Sequence, residues 1–170
     1  MLNRVLILFL FIVVNVGIYV LGVHSENRVA ASGSSKEIGS SVYFNASDGQ
    51  RYWGVGKNLS EGLGFVVTES DGIVPLRRAG PLPGIVFSIP IKVAGFDNAP
   101  PLIIFIQCGL LFLAGQFVRR IASEIKASGG VAEALVIFNP NLISLAHHAQ
   151  SEIVFVLLFS GILYYCTCIL

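Results

Sequence analysis

Charged residues are scarce in this 170-residue chain: Asp, Glu, Lys and Arg together make up 12% of it, against about 25% in ordinary soluble domains. Neither sign prevails, with 11 basic and 10 acidic side chains and a net charge of +1. No basic field exists to steer a polyanion, which removes nucleic-acid binding from the reading. Cysteine is equally sparse. Cys108, Cys166 and Cys168 all sit inside apolar runs, which excludes a secreted disulfide scaffold and reads as small core- or lipid-facing side chains. What fills the chain instead is apolar: 54% hydrophobic residues and a mean hydropathy of +0.77. These values point to a polytopic, all-α membrane protein.

The hydrophobic runs divide the chain. Residues 5–23 are apolar apart from Asn15 and follow Arg4. This run of about 19 residues matches a hydrocarbon core of about 30 Å at 1.5 Å per residue. It is longer than the h-region of a signal peptide, so it reads as an uncleaved first helix, with Val29-Ala30-Ala31-Ser32 as the sequence on which a cleavage reading would rest. Residues 24–82 are polar but nearly neutral, and their start, 25–41, is Ser/Gly-rich and reads as a flexible linker. Residues 83–95 are apolar but too short to span and hold Pro90 and Lys92. They suit a helix lying at the interface, with Lys92 reaching the headgroups. Three further spans follow: 100–118, then 131–146 interrupted at Asn139-Pro140-Asn141, then 153–170. The expected organisation is a first transmembrane helix in 1–23, an outer segment with juxtamembrane helices in 24–98, and three more transmembrane helices in 99–170.

Short basic flanks set the expected orientation. Arg4 and the Arg119, Arg120 and Lys126 group fall on one side of a four-helix alternation, the inner side by the positive-inside rule. Residues 24–98 and the turn 147–152 then share the outer side.

Several polar stretches could carry chemistry. In Ser47-Asp48-Gly49-Gln50-Arg51-Tyr52-Trp53, Ser47 with Gln50 matches a capping box and predicts a helix start. Asp48 then falls in the first turn, where the helix dipole favours an ionised carboxylate. Tyr52, Val55, Gly56 and Leu59 follow at helical spacing, and Tyr52 and Trp53 suit a membrane interface. The plain alternative makes Asp48 a surface acid near a cap. Asn58-Leu59-Ser60-Glu61-Gly62-Leu63-Gly64-Phe65 reads as a helix end followed by an extended run. Arg77 and Arg78 open a turn-rich basic corner suited to a lipid phosphate, or simply to anchoring at anionic lipid. Glu152 stands at the boundary of the last helix behind His147 and His148. A carboxylate there is costly unless it faces water or a partner, which makes it a candidate site residue. The two histidines and Glu152 supply three metal-type donors without a fourth, a weak metal signal. The two sequons, at Asn45 and Asn58, acquire meaning only in a eukaryotic secretory pathway.

Taken in order, these pieces resemble the membrane-embedded GT-C glycosyltransferases, in the branch of the protein O-mannosyltransferases and aminoarabinose transferases. The similarity lies in Asp48-Gly49-Gln50-Arg51-Tyr52 after the first helix, then Asn58-Leu59-Ser60-Glu61-Gly62-Leu63-Gly64-Phe65. It continues through Pro75, Arg78, Gly80-Pro81-Leu82-Pro83, Gln107 and Asn139-Pro140, and ends with Ala149-Gln150-Ser151-Glu152 opening the last helix. It covers the chain from about Tyr43 onward.

The resemblance implies transfer of a sugar from a polyprenyl-phosphate carrier to a glycan, lipid or protein acceptor at the outer membrane–water interface. It assigns Asp48 and Glu152 to catalysis, and Arg51, Tyr52, Arg77, Arg78 and His148 to substrate binding. No cofactor is required by it, and a divalent metal is compatible with it. Some relatives carry a Glu-Lys pair in the basic corner, and this sequence has none. Such enzymes are several hundred residues long, so a chain with about four spans that stops inside an apolar run is expected to be an N-terminal portion. The expected location is a bacterial inner membrane, with the site facing the periplasm or exterior. The competing reading is a non-catalytic small membrane protein or assembly partner. A transporter fragment comes third, for want of charge at helix centres.

Overall fold

The computed structural model describes residues 4–31, 47–69, 72–75, 81–96, 98–148 and 151–169; the side chains of 22–31, 47–50, 68, 69, 73 and 74 fall outside that description. The elements in order are α1 (Arg4–Ala31), α2 (Ser47–Ser60), β1 (Val66–Glu69), β2 (Gly72–Pro75), α3 (Pro81–Ala94), α4 (Ala99–Glu124), α5 (Gly129–Ile137), α6 (Pro140–His147) and α7 (Glu152–Ile169). Among the described residues, three helices are long and apolar enough to cross a membrane: α1 over Arg4–Leu21, α4 and α7. The α5–α6 pair makes a fourth if its two halves, bent by 48°, count as one span.

The ends of these helices follow from local chemistry. α4 begins after Asn98 with proline in its first turn, where a missing N–H costs nothing. It closes with Lys126 N–H on Ser123 O at 3.1 Å and Ala127 N–H on Ala122 O at 2.8 Å. This is the paired closure of a Schellman turn, with Lys126 at φ 59 in the position glycine usually takes. The α5–α6 break lies at Asn139, whose side-chain oxygen accepts from Asn141 N at 2.9 Å and Leu142 N at 3.2 Å. Pro140 forces Asn139 out of the helical region, to ψ 119, so one helix ends and another is capped within two residues.

Packing decides how the bent pair runs. Gly129 lies against Arg119, Glu133 against Gly115 and Arg119, and Ile137 against Gly115. His147 reaches the main chain of Asn15, and Asn15 contacts Cys108. The pair therefore runs antiparallel to α4, from the Arg119 end to about the level of Cys108. α7 returns parallel to α4, with Tyr164 against Phe117 and under Arg120. α1 runs antiparallel to α4: Phe11 meets Phe112 at 5.8 Å, and Asn15 meets Cys108 one turn further toward the α4 start. A buried cluster of Ile7, Phe11, Leu111, Ile137, Ile143, Ala146 and Ile153 joins α1, α4, α5, α6 and α7. Arg4 thus lies toward the Arg119–Arg120 end of the bundle, and the His147–Glu152 turn lies away from it.

α2 and α3 form a separate antiparallel pair against the start of α4. Phe87 and Ile91 of α3 pack with Ala99 and Ile103 of α4, and Tyr52 and Trp53 of α2 lie against them. Glycine permits the close approach. A Cβ on Gly84 would stand 2.5 Å from Val55 Cγ1, and one on Gly56 would stand 2.9 Å from Phe87 Cβ. Gly84→Val is therefore expected to loosen this pair by about 1–3 kcal/mol. Limited proteolysis should show it as faster cleavage after the α2 basic residues, while the spans stay protected.

Two expectations change. The start of the linker expected from residue 25 is helix instead, because α1 continues to Ala31 and residues 25–31 contain no glycine or proline to stop it; residues 32–41 lie outside the described residues. The helical class stands, with one addition: β1 and β2 pair antiparallel, from Val66 opposite Pro75 to Glu69 opposite Gly72. Only an extended run was legible there, since a partner strand of four residues leaves little periodicity to read.

Candidate functional site

The site residues named from sequence distribute over two places. α2 opens at Ser47, where the capping pattern predicts a helix start, and Asp48 falls in its first turn. The side chain of Asp48, and Arg77 and Arg78 altogether, lie outside the described residues. Arg51, next on α2, is exposed, and Tyr52 is half-buried against the α3–α4 junction. The face predicted from Tyr52, Val55, Gly56 and Leu59 is the face that packs on α3: Val55 is fully buried, and Val55 and Leu59 both lie against Gly84. Trp53 stacks obliquely on Phe96 at 4.8 Å, and Lys57 sits 5.1 Å above the same ring. Asn58 donates to Val66 O at 2.8 Å and ties the hairpin to α2. α2 and the hairpin that it holds are thereby fixed, through α3, to the first turns of α4.

Glu152 is the first residue of α7 and is exposed. His148 caps α6, its Nδ1 2.6 Å from Ser144 O. His147 is buried, with Nδ1 2.9 Å from Ile143 O and Nε2 3.3 Å from Asn15 O. Both rings are thus engaged by main-chain carbonyls, and among the described residues no three His, Cys, Asp or Glu side chains are grouped to hold a metal ion. Depth separates the two places. Gly161 and Tyr164 lie beside Phe117, and α7 is parallel to α4. Carried back nine residues, Glu152 comes level with Cys108, roughly 13 Å along α4 from Ala99 where the α2–α3 pair sits.

No protein-family model, curated protein or solved structure matches this chain.

Among the described residues, buried polar groups that the sequence does not mark as a site include Glu133, Asn15 and Gln107. Glu133, 2% exposed, accepts from Arg119 Nη1 at 2.8 Å and from Gln116 Nε2. It lies near the start of an apolar run, and its only signal was a basic residue 14 positions earlier. Asn15 donates to Phe11 O at 2.8 Å and accepts from Cys108 Sγ at 3.3 Å. Together with the His147 contact, this makes a polar tie among α1, α4 and α6 inside an apolar bundle. The one polar residue in the first hydrophobic run was that signal. Gln107, singled out only as part of a pattern, is fully buried in α4.

Proposed function

We propose that this chain contributes to a membrane-embedded glycosyltransferase that moves a sugar from a polyprenyl-phosphate carrier to an acceptor on the side opposite its basic flanks. The observation carrying the reading is the sorting of helix ends. Arg4 lies toward the end that bears Arg119 and Arg120, while the α2–α3 pair and the 147–152 turn lie away from it. With the basic end inside, the polar half of the chain faces outward, where a lipid-linked donor would present its headgroup.

Displacing a lipid phosphate from an anomeric carbon needs a base for the acceptor hydroxyl and positive charge for the departing phosphate. Asp48, in the first turn of α2, is assigned the first role, and Arg77 and Arg78 the second. Arg51 and Tyr52 follow Asp48 on α2, while Glu152 and His148 come from the last helix and the turn before it. The depth difference between α2 and Glu152 suits a ligand that is part headgroup and part lipid, gripped at two levels.

The test has two arms. Membranes containing the protein, expressed from its natural gene, are expected to transfer label from a polyprenyl-phosphate sugar to an endogenous acceptor; no transfer above control membranes refutes the activity. Single cysteines placed at Ser70 and Gln150 are expected to react with an impermeant maleimide from the same, outer side. Labelling from opposite sides refutes the arrangement.

A further inference from the structure

His147 is enclosed where α6 meets α1, with 6% of the residue exposed. Its Nδ1 stands 2.9 Å from Ile143 O of its own helix, and its Nε2 stands 3.3 Å from Asn15 O of α1. Both partners are carbonyl oxygens, which only accept. A neutral imidazole carries one N–H and satisfies one of them; both are satisfied only when each ring nitrogen bears a proton. The two bonds are then charge-assisted, and stronger than neutral ones. When the ring gives up a proton, a nitrogen lone pair is left facing a carbonyl oxygen. That opposition costs more at the shorter distance, so the proton stays on Nδ1 and the contact with α1 is the one surrendered. The Asn15 side chain does not replace it: its amide donates to Phe11 O and its oxygen accepts from Cys108.

The tie stands at the end of the buried face of α1. Ile7, Phe11 and Asn15 are buried at successive turns, and among the described side chains of α1 no buried one follows; Ile18 and Leu21 are exposed. We propose that His147 is a proton-operated clasp on the first span: doubly protonated, it ties α6 to the main chain of α1 at Asn15, and loss of the Nε2 proton frees α1 beyond Asn15 from the bundle. No acid holds the charge in place. Tyr19 of α1 and Cys108 of α4 line the same cavity as the ring, Glu152 heads α7 and is exposed, and His148 follows on α6 with its Nδ1 on Ser144 O. Glu133 of α5 is bonded to Arg119. Among the described residues the ion pairs are that one and Lys57–Glu61, and neither includes the ring. The second proton is therefore held by the two carbonyls, and only while α1 is in place. By linkage, the docked arrangement binds that proton more tightly than the released one, so acid favours docking and a rise in pH favours release. The packing of the first span is thus coupled to the acidity of the side that carries the 147–152 turn. The inference rests on the geometry of the ring, and loss of the transferase reading leaves it standing.

The test is solid-state NMR of the full chain in phospholipid vesicles, with isotope-labelled histidine, asparagine and valine. Spectra are taken at about pH 5 and about pH 8, the limits between which an imidazole changes charge. Asn15 is the only asparagine followed by valine, so its carbonyl carbon is identified through the bond to Val16 N. His147→Gln identifies the His147 signals among the 3 histidines. At the acid limit both ring nitrogens of His147 are expected to carry protons, and Nε2 to show a through-space coupling to the Asn15 carbonyl carbon. At the alkaline limit Nε2 should be bare, that coupling lost, and the amide of Val16 less ordered. Tyr19→Phe and Glu152→Gln should leave these changes in place. His147→Gln, whose amide donates at every pH, should hold Val16 equally ordered at both limits. A ring that is singly protonated at both limits overturns the proposal, as does one that keeps its Asn15 coupling undiminished at the alkaline limit. So does a Val16 response to pH that persists in His147→Gln.

Discussion

Glu133→Ala is expected to destabilise the bundle by about 3 kcal/mol, the lower end of the range for breaking a buried ion pair. Glu133 is almost wholly enclosed, and its carboxylate takes one hydrogen bond from Arg119 and another from Gln116. Removing it leaves a guanidinium and an amide facing each other in a site that gives them little water. Arg119 keeps 18% of its side chain exposed and can turn part-way to the headgroups, which is why the upper end of the range is not expected. The pair fastens α4 to α5 next to Gly115, where a Cβ would meet Ile137 Cγ2 at 2.5 Å, so the helices cannot slide closer to compensate. The change is measured by reversible unfolding in mixed detergent micelles. Leucine at both 119 and 133 should recover most of the loss, because it removes the desolvated charges together. A single Glu133→Ala variant as stable as the parent would show that the carboxylate contributes nothing to holding α4 and α5. By contrast, the Lys57–Glu61 pair, 3.9 Å apart and about half exposed on both sides, should be worth under about 1 kcal/mol.

The long spans were legible because their signal is redundant: 18 or more apolar residues leave few alternatives to a helix once backbone groups must be satisfied internally. The break at Asn139-Pro140 was legible for the opposite reason, since a single proline preceded by a capping residue has one outcome. What the sequence could not display was pairing across distance. Glu133 and Arg119 look like separate charges flanking spans until α5 folds back along α4. Asn15 looks like a blemish in a first helix until Cys108 and the α6 turn arrive beside it. The β1–β2 hairpin failed the same way, as four residues of extended chain are too few to declare a partner. The candidate site was legible only as types in an order. The α2 face packing on α3 follows from spacing, but the depth of Glu152 depends on how α7 registers against α4. That register is set by Phe117, Gly161 and Tyr164, none of which bears chemistry of its own.

Asp48→Asn is expected to lower sugar transfer by about 10²–10⁴-fold, the contribution of a positioned general base, while insertion and the protease pattern of the spans stay unchanged. The substitution keeps size and hydrogen-bonding reach but removes the capacity to take a proton from the acceptor hydroxyl. At the start of α2, asparagine also remains an acceptable residue for a helix terminus, so α2 should still form and pack through Val55 and Gly56. The loss should fall on kcat with KM for the lipid donor little altered, since a base acts in the transition state and the donor is held by other groups. Glu61→Gln supplies the comparison on the same helix pair: Glu61 follows α2, is exposed, and is paired only weakly with Lys57. It should leave transfer intact. If Asp48→Asn and Glu61→Gln transfer sugar equally well, the acid at the head of α2 is a solvated surface group. The chemistry would then have to come from the last helix, where Glu152→Gln becomes the deciding variant.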